Sequence, residues 1–254
     1  MKHFLKFVNL LLVTIQSCSL PSDSGPLPRH INDYNHKPTL SVFGVLRNTD
    51  KNSESLIKVE RSFSITEQTK DFNSVIDSAT VSVFDTEDSI SYSFYFIHDS
   101  VMGGIYKSQD FIPDPGHTYE ISVEVEDFST VKGVTTVPLP VKSDSVKWSK
   151  DGNSILFQIL DSELLELYDI YVVFENNVAK KRMIGNKDPI VFNDIDEFGD
   201  PLRVEIYLYD NNLSRYLQEG YKITPNEYSE TVTYVEGGYG CFGSVSKTAI
   251  KISE

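Results

Sequence analysis

Few of the features that reveal a biochemical role at sight are present in this chain. Its 254 residues hold two cysteines, three methionines and one tryptophan. The cysteines could make one disulfide at most. Basic charge is scarce: 23 Lys and Arg stand against 37 Asp and Glu, for a net charge of −14. Nucleic-acid binding depends on Lys and Arg neutralising phosphates, so this balance argues against a nucleic-acid partner. It argues equally against holding an anionic lipid surface through a basic face. Charge of this size mainly keeps a protein soluble. No internal repeat of fixed period is visible. No apolar run reaches the roughly 20 residues that cross a bilayer as a helix.

One shorter apolar run organises the rest. Lys2 and Lys6 give the N-terminus a positive start, and Phe7 to Ile15 is apolar except at Asn9. Its length suits the core of an export signal, about 7–15 residues. The run ends Ile15-Gln16-Ser17-Cys18, which resembles a lipobox: an aliphatic residue, a variable one, a small one, then Cys. The resemblance implies that the Cys18 thiol receives diacylglycerol and that cleavage frees its amine for further acylation. Several acyl chains hold a protein stably where one does not. Residues 1–17 are therefore expected to leave as a lipoprotein signal peptide, with Cys18 as the lipidation site. The competing reading is a plain secretory signal with an incidental cysteine. Ser19, where an inner-membrane retention signal would carry Asp, points to the outer membrane. Only Asp23 lies close by, so periplasmic and surface-facing placements both stay open. Loss of Lys2 and Lys6 takes the net charge from −14 to −16. With Cys18 acylated, Cys241 has no partner in the chain.

Residues 18–37 read as a flexible tether. Pro21, Pro26 and Pro28, with Ser22, Ser24 and Gly25, prevent regular structure, and a coil of that length reaches roughly 25 Å. From Thr39 onward the pattern is strands. Leu40 to Leu46 and Leu56 to Ser62 are apolar runs. Ala79, Val81 and Val83 alternate with polar residues, as do Tyr92, Phe94 and Phe96. Tyr119, Ile121, Val123 and Val125 alternate with Glu120, Ser122, Glu124 and Glu126, a strand with one face buried. Pro113-Asp-Pro-Gly116 is a turn ahead of it, and Thr130 to Val137 closes the set. Six or seven short strands separated by turns predict an immunoglobulin-like or fibronectin-like β-sandwich over residues 38–140. Val137-Pro-Leu-Pro140 and Lys142 to Ser145 read as a connector. A second β-rich unit is expected over 146–254, with alternation at 155–159, 168–174 and 202–208 and late strands near 231–234 and 245–252. Asn211 and Gly220 bracket one short helix near residues 211–219, and residues 161–167 could form another helical turn. The fold expected is all-β, in two tandem sandwich units.

Chemical motifs are weak. Gly238-Tyr-Gly240-Cys-Phe-Gly243 satisfies GxGxxG, but a dinucleotide site needs a following helix and an acidic residue about 20 positions on. Only eleven residues remain, so this reads as a Gly-rich bend between late strands. Asn193 to Asp200 gathers carboxylates around Gly199 without the EF-hand spacing, and reads as a solvated hairpin turn. His30, His36, His98 and His117 show no ligand spacing, so no metal and no cofactor is expected. Cys241 reads as a small buried hydrophobe. No catalytic residues emerge, and the chain is read as noncatalytic. Ser78, Ser89, Ser100 and Ser145 each sit in an Asp-Ser-aliphatic or Asp-Ser-Ala tripeptide. These resemble the O-glycosylation acceptor of Bacteroidota, a short motif with many chance matches.

Several stretches in order resemble one family. Pro38 to Leu46 resembles its opening strand, Ile57 to Ser62 its second and Val75 to Val83 its third. Pro115-Gly-His-Thr-Tyr119 is similar to its PG-x-x-Y motif, Leu213 to Leu217 to its Tyr-Leu helix, and Tyr234 to Gly243 to its glycine-rich closing motif. The family is the Bacteroidota lipoprotein group known as domain of unknown function 4249. Cys241 departs from the pattern, where an aromatic or aliphatic residue is expected. Members often stand beside TonB-dependent outer-membrane transporters, so the resemblance implies an accessory or binding role with such a transporter. Two other roles compete: a structural or adhesive lipoprotein such as a fimbrial anchor, and a hydrolase with an interdomain site.

Overall fold

The computed structural model describes residues 37–49, 54–62, 73–160, 166–185, 189–219 and 233–252. The expected signal peptide, Cys18 and the expected tether as far as residue 36 lie outside the described residues, as do 161–165 and 220–232. No helix among the described residues is long and apolar enough to cross a membrane.

Side-chain alternation builds the strands as expected. Thr118–Glu124 (β6) turns Tyr119, Ile121 and Val123 inward and Glu120 and Glu124 outward, and Val131–Thr136 (β7) buries every second residue. Leu40–Asn48 (β1), Leu56–Arg61 (β2), Thr80–Asp85 (β3) and Ile90–Asp99 (β4) match the runs read from the sequence. Gly103–Lys107 (β5) adds a strand that the sequence did not announce. Strand order runs β1-β2-β5-β4-β3-β6-β7, with neighbours antiparallel. The inner faces share a core that includes Val42, Val59, Val83, Tyr106, Ile121 and Phe242.

Beyond the connector come Val146–Asp151 (β8), Ser154–Ile159 (β9), Leu167–Val173 (β10), Val178–Ile184 (β11), Ile190–Phe192 (β12) and Arg203–Tyr209 (β13). A helix, Asn211–Glu219 (α1), and a 13-residue strand, Tyr239–Lys251 (β14), close the chain. Strands β12, β9 and β8 form a separate three-stranded sheet. It faces β10 and β13 across a second core that includes Phe157, Tyr168, Ile170, Phe192, Val204 and Ile206. The protein is thus all-β with one short helix.

Strand β14 belongs to both cores. Its first part pairs in parallel with β1, from Ser41 opposite Tyr239 to Asn48 opposite Ser246. Its second part pairs antiparallel with β13, from Tyr209 opposite Val245 to Arg203 opposite Lys251. Eleven strands therefore form one hydrogen-bonded sheet, carried from β13 to β1 by β14. The described residues from Pro38 onward group as one compact unit. The GxGxxG stretch lies mostly inside β14, not in a bend. Gly240 has φ of +116°, and a Cβ there would run into the Val42 carbonyl. Only glycine permits this approach of β14 to β1.

The helix is capped one residue earlier than expected. Asp210, not Asn211, accepts the Leu213 amide at 2.9 Å. Its carboxylate also takes the Thr135 hydroxyl at 2.7 Å and the Ser244 amide at 3.1 Å, joining α1 to β7 and β14. Burial pushes the Asp210 carboxyl above its usual range.

Candidate functional site

Period two on β13 separates Val204, Ile206 and Leu208, which enter the second core, from Arg203, Glu205, Tyr207 and Tyr209, which face away from it. Neighbouring strands add Asp169 and Tyr171 from β10, Lys180 and Arg182 from β11, and Lys247 from β14 to the same face. Buried Asp169 accepts Arg182 Nε at 2.8 Å, Arg182 Nη2 at 3.0 Å, the Tyr209 hydroxyl at 2.9 Å and Lys180 Nζ at 3.0 Å. Burial alone would raise this carboxyl. The bonds from Arg182, Lys180 and Tyr209 outweigh burial and hold it below its usual range. Glu205 behaves alike, opposed by burial and held low by Arg203, Lys247 and Tyr207. Its partners lie at 2.8, 3.2 and 3.1 Å. Tyr171 meets Tyr207 edge-on at 5.1 Å, and Lys180 and Lys247 lie over these rings at 4.9 and 5.8 Å.

The result is a polar and aromatic platform on one face of the sheet, with two cations on each of two acids. Buried carboxylates held this way keep their charge across the physiological range. The Tyr207 and Tyr209 hydroxyls are spent on these acids and their rings pack against Val45, Leu213 and Val245, so what the face leaves to a polar partner is the half-exposed Lys180, Arg182 and Arg203; no nucleophile with an adjacent base stands among these residues. The period-two run of Arg, Glu, Tyr and Tyr on β13 was the legible signal for it. Its partners on β10 and β11 could be found only from the register.

A second constellation sits at the β3–β4 turn. Asp85, Asp88, Asp114 and His117 bring ligand atoms within 4.8 Å of one another. An oxygen-rich set with one imidazole is a donor set that a divalent cation can take. Asp85 is fully engaged, however. One oxygen accepts the amides of Glu87 and Asp88 at 3.0 and 3.1 Å, and the other meets His117 Nδ1 at 3.0 Å. Burial opposes the Asp85 charge, while bonds from His117, the two amides and Tyr119 leave the carboxyl lowered. The same carboxylate raises His117. As it stands, the group is a hydrogen-bonded lock on the turn. Sequence spacing did not show it, because His117 meets Asp85 across 32 residues.

The expected site residues do not converge. Cys18 is outside the described residues. Ser78, Ser89 and Ser100 are exposed, Ser89 and Ser100 in hairpin turns, while Ser145 is half-buried in a 3-10 turn, Ser143–Ser145. Cys241 is fully buried, and burial pushes its thiol up to about 12. Beside Cys241, Tyr216 of the helix packs on Phe43 at 5.7 Å. Asn193 to Asp200 contains a 3-10 turn at Asp196–Phe198, with Gly199 at φ +80°. An open cleft of about 490 Å³ lies beside β6 and β7, lined by Glu120, Lys132, Val134, Tyr234 and Glu236 among others.

A family model described as a domain of unknown function (DUF4249) matches residues 26–251. No curated protein matches the chain.

Proposed function

Because the chain belongs to the DUF4249 family, we propose that it is a lipid-anchored, noncatalytic accessory or binding protein of a Bacteroidota outer membrane, working with a TonB-dependent transporter. The observation that carries this reading is the N-terminal segment: Lys2 and Lys6, the apolar run to Ile15, then Ser17-Cys18 and a proline-rich stretch leading into β1. The half-exposed Lys180, Arg182 and Arg203 on the outer face of β11 and β13 support a binding role, since clustered cations suit recognition of a polar partner. Acyl labelling tests the anchor. Wild-type protein takes up an alkyne fatty acid and sediments with membranes, and Cys18→Ala does neither. Crosslinked pull-down from native membranes recovers a large β-barrel; a clean recovery without one ends the transporter partnership.

One observation favours a structural or adhesive role. Strands β8 and β11 each pair on one side only among the described residues, and an open edge can accept a strand from a neighbour. Ser78, Ser89 and Ser145 are proposed glycan sites on their sequence context; Ser100 shares that context but lies in the β4–β5 turn, where a glycan would bar the membrane contact inferred below. An intact mass equal to polypeptide plus lipid would remove that assignment.

A further inference from the structure

The β4–β5 hairpin ends in Asp99-Ser-Val101-Met102 ahead of Gly103. Its tip is apolar and unusually exposed: Val101 is 89% and Met102 48% accessible. The turn is not loose. Asp99 Oδ1 accepts the amides of Val101 and Met102 at 2.9 and 2.8 Å, and Gly103 takes φ of +76° to re-enter the sheet. One carboxylate thus fixes a backbone that holds two apolar side chains in solvent. Ile97, two residues before Asp99 on β4, is exposed behind them.

The position of this tip is informative. Leu40 pairs with Arg61, and Ile57 pairs with Tyr106, so β5 begins at the end of the sheet where β1 begins. The chain enters the folded unit at Pro38. The apolar tip and the point where the segment from Cys18 arrives therefore share one end of the sandwich. The same end carries Glu126 and Asp127 in the β6–β7 turn, which disfavours an anionic surface. A protruding tip is also the wrong shape for receiving a ligand and the right one for entering an interface, where Val101 and Met102 leave water while their amides stay bonded to Asp99.

From this geometry we infer that the Val101–Met102 turn is a membrane contact, inserting into the interface of a zwitterionic bilayer and orienting the folded unit on its anchor. This rests on the lipid-anchor reading. Two residues are too few to hold a protein alone, and weak contacts become effective beside an acyl anchor.

The test uses mature, acylated protein in phosphatidylcholine vesicles, with a nitroxide on Val101→Cys or on Gln109→Cys. Gln109 is exposed at the far end of β5. Cys241 is fully buried and Cys18 is acylated, so neither takes the label. The expected result is a severalfold higher ratio of oxygen to nickel-chelate accessibility at position 101 than at 109, which falls when Met102→Asp is added. Equal aqueous ratios in protein that floats with the vesicles overturn the membrane contact and leave the anchor intact. Protection at 101 that appears in native membranes but not in these vesicles overturns it in favour of a protein partner. Protein that does not float at all removes the anchor and this inference with it.

Discussion

At the scale of single residues, buried carboxylates do the joining, and two of them have direct tests. Asp210 ties α1 to β7 and β14 through three hydrogen bonds. Asp210→Ala strands those donors and is expected to cost about 3 kcal/mol. Asp210→Asn keeps an acceptor for the two amides and should cost under about 1 kcal/mol, both read by urea unfolding. The Asp85–His117 pair makes stability depend on pH. His117 is raised above 6.5, so its protonated form stabilises the fold fully below 6.5, and that contribution fades as pH rises through the raised value. Asp85 is held below 3.8, so its contribution is present above 3.8 and is lost as pH falls through the lowered value. The Tm of wild type should therefore drop as pH climbs past 6.5, with a flatter profile in His117→Gln. None of this was legible in the sequence, because a pair 32 residues apart has no local signature.

At the scale of elements, strands that alternate across one buried face were readable and those without alternation were not. The alternation of β6 was clear because its inner residues all enter one core. In contrast, β11 reads Val-Ala-Lys-Lys-Arg-Met-Ile and buries only Met183, so no period could emerge. Strand β8 buries no residue fully, and β5 opens with two glycines. The basic residues on β8 and β11 are a common guard for open edges. The parallel pairing of β14 with β1 was also invisible, since parallel neighbours leave no hairpin signal. It makes Gly240→Ala a sharp test. With φ of +116° and the Val42 carbonyl in the path of a Cβ, the substitution should destabilise by about 3 kcal/mol or more. It should also lower amide protection in both β1 and β14. A neutral result would mean that the two strands do not pair in this register.

At the scale of the whole molecule, the two cores share β14, and this sets how the protein unfolds. Phe242 lies in the first core and Ile206 in the second, both fully buried or nearly so. Phe242→Ala and Ile206→Ala are each expected to cost about 3–4 kcal/mol. Both should shift one common transition, seen alike by Trp148 fluorescence and by circular dichroism; two separated transitions would show that the shared strand does not couple the cores. The sequence conveyed the all-β class and the place of the helix, because alternation and capping are local. It could not convey that the last strand, β14, pairs with both β1 and β13.

The central claim for the molecule remains its attachment at Cys18. The most direct measurement is the intact mass of the protein isolated from its native membrane, followed by sequencing of the N-terminal peptide. The account predicts a chain lacking residues 1–17 whose first residue is Cys18 carrying acyl chains. A chain that retains Met1, or one cleaved elsewhere with an unmodified Cys18, would contradict it.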